Sequence, residues 1–113
     1  MKKSTSIVLS SLVAFGMLSS AAYADGSIKK GQKTYLKKCK KCHGNGTKGA
    51  AMHSQDEWTA LFADDAKAMI DAHKDDKKSK KYFGSKKFKK YAPHLKAFLW
   101  EYANDSGNVP SCG

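Results

Sequence analysis

The stretch Cys39-Lys40-Lys41-Cys42-His43 sets two thiols three positions apart, with an imidazole directly behind the second. Three kinds of site use such an arrangement: a redox disulfide, part of a metal site, or a covalent attachment point for haem. Each demands a different fold. A thioredoxin-like disulfide needs strands that deliver the first thiol to a helix N-terminus, where its pKa falls. This chain shows no strand pattern, and its thiols close a helical stretch. A structural zinc centre takes four ligands, usually from a second matching pair. Cys112 is the other thiol, and no second CxxC or HxxxH accompanies it. Haem attachment uses all three residues. Thiols one helical turn apart reach the two vinyl groups on one porphyrin edge, and the adjacent imidazole then reaches the iron.

The N-terminus points to export. Lys2 and Lys3 precede the apolar run from Ile7 to Leu18, and Ala22-Tyr23-Ala24 supplies small residues for cleavage. The run is shorter than the ~20 residues of a membrane-spanning helix. Residues 1–24 are therefore expected to be a cleaved signal peptide, leaving residues 25–113 as one periplasmic domain with no membrane span. A chain this short buries a modest core, so a large apolar cofactor helps it fold. Removing Lys2 and Lys3 from the 21 lysines leaves a clear excess over 10 acidic residues, and there is no arginine. Export and the missing guanidinium groups argue against nucleic-acid binding. A lysine surface suits an acidic protein partner instead.

Helical spacing predicts an all-α fold with three helices. Ser27 caps the first, which presents Ile28, Gly31, Tyr35 and Cys39 on one face up to about Cys39. Gly31 there implies close approach of another helix. Gly44-Asn45-Gly46 ends the element, and the segment to Met52 reads as irregular. Ser54 and Glu57 form a capping box for the second helix. Its apolar stripe runs through Trp58, Leu61, Phe62, Ala66, Met69 and Ile70 to His73. Lys74 to Lys90 is basic and turn-prone. Pro93 suits the first turn of a third helix that buries Leu95, Phe98, Leu99 and Tyr102 and ends near Asn104. The tail from Ser106, with the lone Cys112, reads as irregular.

With a glycine- and aromatic-bearing helix before CxxCH and an aromatic-rich last helix, the chain resembles the small single-haem cytochromes c of the bacterial periplasm. The resemblance implies a helical domain wrapped around one haem c, attached to Cys39 and Cys42, with His43 as the proximal iron ligand. It also implies that Gly31 and Tyr35 meet Phe98, Leu99 or Tyr102 where the terminal helices cross. Such proteins usually take a distal methionine from a loop before the last helix, but no methionine follows Met69. Helical phase favours His73 as the distal ligand, with Met69 and His94 as alternatives. Met52, close behind His43, and His53, beside the capping box, rank below them.

The expected role is single-electron transfer between larger redox proteins, not enzymatic bond chemistry, by a monomer that docks acidic reductases or oxidases through Lys74–Lys90. The alternative is a haem protein with an open or weakly held distal position that takes a small gas such as NO or O₂.

Overall fold

A computed structural model describes residues 26–111. The expected signal peptide and Cys112 lie outside the described residues. Among the described residues six helices follow one another: α1 (Ile28–Lys38), α2 (Lys40–His43), α3 (Gly46–Ala50), α4 (Gln55–Ala72), α5 (Lys77–Phe83) and α6 (Lys86–Glu101). No strand occurs among the described residues, in agreement with an all-α domain.

At 11 residues, α1 is shorter than the ~12–15 needed for marginal stability in isolation. Ser27 Oγ accepts a bond from the Lys30 N–H at 3.2 Å and caps it. Packing does the rest. α1 crosses α6, the most extensive helix pair in the fold. At the crossing a β-carbon on Gly31 would overlap the His94 carbonyl and press on the Phe98 side chain. Tyr35 then lies 5.8 Å from Phe98, ring centre to ring centre, with both side chains buried. Burying a side chain of that size contributes roughly 2 kcal/mol.

α4 begins on the expected capping box. The Glu57 N–H donates to Ser54 Oγ at 3.1 Å, and the Ser54 N–H donates to Glu57 Oε1 at 2.8 Å. The helix is not continuous, however. Ala63 is extended (ψ 156°), and Asp64, Asp65 and Ala66 follow with φ of 53°, 57° and 62°. Aspartate tolerates this left-handed region better than most residues, whereas Ala66 costs about 1–2 kcal/mol there. The turn lets both pieces bury residues: Trp58 before it, Ala66 and Met69 at and beyond it.

The basic segment expected to be a loop is largely helical. Asp76 Oδ2 accepts from the Ser79 N–H at 2.9 Å and starts α5, and Ser85 Oγ accepts from the Phe88 N–H at 3.2 Å and starts α6. Pro93 therefore sits inside α6 and not in its first turn. A mid-helix proline costs about 3 kcal/mol. Phe88, Leu95, Phe98 and Leu99 are all buried along α6 and together outweigh that loss. The residues after His43 also differ from the irregular segment expected, because Asn45 Oδ1 accepts from the Lys48 N–H at 2.9 Å and caps the short α3.

Candidate haem-binding site

α1 delivers Cys39 at its C-terminal cap, and α2 carries Lys40 to His43 onward in helical geometry. The His43 N–H donates to the Cys39 carbonyl at 3.0 Å, so cysteine and histidine belong to one turn. Gly44 stops it with φ 85°, a conformation glycine adopts without strain. The Tyr35 hydroxyl then donates to the Gly44 carbonyl at 2.8 Å and ties the end of the motif back to α1.

His43 opens into a cavity of about 250 Å³. Its walls come from Tyr35 and Cys39 on one side, Trp58, Leu61, Met69 and His73 of the α4 segment on another, and Phe83, Leu95 and Leu99 beyond. The lining is mainly aromatic and aliphatic, and three imidazoles interrupt it: His43, His53 and His73. The rings of His43 and His73 stand 5.9 Å apart, centre to centre, and nearly perpendicular at 84°. A metal bonded to both imidazoles at about 2 Å would hold the ring centres roughly 6 Å apart. Cys39 lines this apolar cavity with the imidazole pair at metal-spanning separation, while Cys42 is exposed on α2 beside His43; the set fits a haem that Cys39, Cys42, His43 and His73 would hold.

His73 is oriented for such a role. Its Nδ1 lies 2.7 Å from the Met69 carbonyl oxygen, an acceptor only, so Nδ1 carries the proton and donates. In the neutral ring Nε2 is then left with its lone pair free. A second hydrogen bond that fixes the tautomer in this way is the usual support of a metal-bound histidine. Phe83 packs on the same ring at 4.5 Å. Burial first, and the neighbouring His73 second, hold the His43 pKa below its ordinary value, which favours the neutral ring.

The remaining candidates separate cleanly. Met69 is buried and lines the cavity, so the methionine alternative shares the site with His73. His94 does not line it. Its Nδ1 accepts the Ser27 N–H at 2.8 Å, which engages the ring at the start of α1. The cause is the earlier start of α6, which places His94 in mid-helix facing α1 and not in a first turn near the cavity. Met52 and His53, ranked low on sequence, both reach the lining; Met52 is 42% exposed, and His53 stands edge-on to Trp58 at 4.7 Å. Sequence phase missed Phe83, whose only signal was an aromatic pair, Tyr82-Phe83, among lysines.

As a free thiol Cys39 is pushed up to about 12, by burial and then by the negative charge of Cys42. Such a thiol is a poor nucleophile at neutral pH, which disfavours a redox disulfide. A family model described as cytochrome c oxidase, cbb3-type, subunit III, matches residues 26–98. Neither a curated protein nor a solved structure matches the chain.

Proposed function

The chain belongs to this c-type cytochrome family, a family of covalent haem and electron transfer, and on that premise we propose that it shuttles single electrons between larger exported redox proteins. Cys39 and Cys42 would hold one haem c, and His43 and His73 would supply imidazole ligands to its iron. When bound, the haem supplies a one-electron iron couple. Tyr35, Trp58, Leu95 and Leu99 exclude water from the cavity, while the Met69 carbonyl keeps the proton on His73 Nδ1. The family's general role is electron transfer, which supports a carrier over an enzyme. Exported proteins are the natural setting for covalent haem, and no described helix is long and apolar enough to cross a membrane.

The facing imidazoles 5.9 Å apart carry this reading. His73→Ala is expected to turn the ferric protein from low-spin to high-spin and to open it to carbon monoxide when reduced. Met69→Ala and His94→Ala stay low-spin and closed. Loss of the low-spin spectrum in Met69→Ala instead would make methionine the ligand. Carbon monoxide binding by the unaltered protein would favour the open-site alternative for small gases. Haem that leaves the polypeptide in acidified acetone would overturn covalent attachment.

A further inference from the structure

Residues 26–55 contain eight lysines and no acidic residue, while α4 holds five acids and one lysine. On α1, Lys30, Lys33 and Lys37 repeat at helical spacing on the face opposite Gly31 and Tyr35. Like charges so spaced repel by a few tenths of a kcal/mol per pair. No nearby carboxylate among the described residues relieves this. The ion pair found among the described residues joins His53 to Glu57, and no described lysine has a carboxylate within 4.0 Å.

These lysines wall a groove of about 290 Å³ distinct from the haem cavity. Lys30, Lys33, Lys37 and Lys38 line it from α1 and Lys87 from α6, with Tyr82 and Tyr91 as the aromatic part of the lining. The Lys38 ammonium stands 5.2 Å from the centre of the Tyr82 ring, which gives the cation a fixed seat. The groove is also coupled to the metal-binding wall. Tyr82 meets Phe83 at 5.4 Å, and Phe83 meets His73 at 4.5 Å. Two ring contacts thus join the groove to the candidate ligand.

We propose that this α1–α6 groove is the docking face for the carboxylate-rich surface of a redox partner. The assignment rests on the electron-carrier reading and replaces the sequence expectation of a patch spread over Lys74–Lys90. Of those nine lysines, only Lys87 lines the groove. A protein surface suits it better than a lipid surface. The large exposed hydrophobics among the described residues are Leu36, Met52 and Val109, and none lines the groove or forms a patch that could enter a bilayer.

The test uses the isotope-labelled haem protein and a hexaglutamate peptide as the acidic probe. Chemical-shift changes are expected to centre on Tyr82, Tyr91 and the exposed face of α1, and to fade as salt rises. Lys33→Glu with Lys37→Glu and Lys87→Glu is expected to weaken peptide binding roughly tenfold or more. An equal reversal at Lys77, Lys78 and Lys80 on α5 should weaken it far less. An unchanged visible spectrum and helical circular dichroism in each variant keep this outcome separate from loss of haem or fold. Equal weakening by the two reversals, or shifts scattered over all lysines, overturns the proposal. So does selective binding to phosphatidylglycerol vesicles with indifference to the peptide.

Discussion

His43 and His73 face each other across one cavity, yet the walls behind them are built in opposite ways. His43 sits on a wall without slack: its turn is closed onto Cys39, tied through Gly44 to Tyr35, and backed by the α1–α6 crossing. His73 hangs at the end of a helix that has already broken once, held by the Met69 carbonyl and the Phe83 ring. The proposed anchors Cys39 and Cys42 and the proposed ligand His43 share one turn, so that wall can be rigid. The facing wall has to close on whatever that anchor holds. The difference teaches that motif and ligand are separate structural problems, solved by separate stretches of chain.

The sharpest way to break the contrast is at the rigid wall. Gly31→Ala forces a methyl group into the His94 carbonyl, which is expected to cost about 3 kcal/mol. That is a large share of the stability of a small domain, and guanidinium titration with and without the substitution measures it. Behind the second wall, the buried Trp58 indole donates to the Ala50 carbonyl at 2.8 Å. Trp58→Phe leaves that carbonyl without this donor and should cost about 2 kcal/mol by the same titration. If Trp58→Phe costs more than Gly31→Ala, the ranking of the two walls is wrong.

The smallest effect lies at the start of α4. The Ser54 backbone N–H, with lesser help from the Ser54 hydroxyl and His53, holds the exposed Glu57 carboxyl below its ordinary 4.5. A depressed folded-state pKa adds stability that is complete above the unfolded value and is lost as pH falls through the folded one. The stability difference between the unaltered protein and Glu57→Gln should therefore be steady at neutral pH and shift as pH drops below 4.5. A difference that stays constant from neutral pH into strong acid would show that the carboxylate adds nothing there.

Much of the rigid wall was legible because its signals are local. Ser27, Gly31 and Tyr35 announce a helix and a close crossing, Ser54 and Glu57 announce a cap, and CKKCH announces its own chemistry. The second wall was read less well. Helical phase led from Trp58 to His73 as though α4 were unbroken, and His73 does face the cavity, but only after the turn at Asp64 and Asp65 resets the phase. α5 was hidden because lysine runs look solvated, although lysine is a good helix former and Asp76 marks the start. The early start of α6 was hidden by Pro93, a local penalty overruled by the burial of Phe88. Removing His94 from the cavity follows from that one displaced boundary.

The left-handed turn in α4 also bears on how the molecule moves. Cooperative opening of a helix spreads along its ladder of backbone hydrogen bonds, and a left-handed turn interrupts that ladder. The piece from Gln55 to Phe62, locked by its cap and by Trp58, and the piece from Lys67 to Ala72 are thus separate opening units. The second is expected to fray and reclose while the first keeps its amide protons from exchange, a difference that amide hydrogen exchange would read residue by residue.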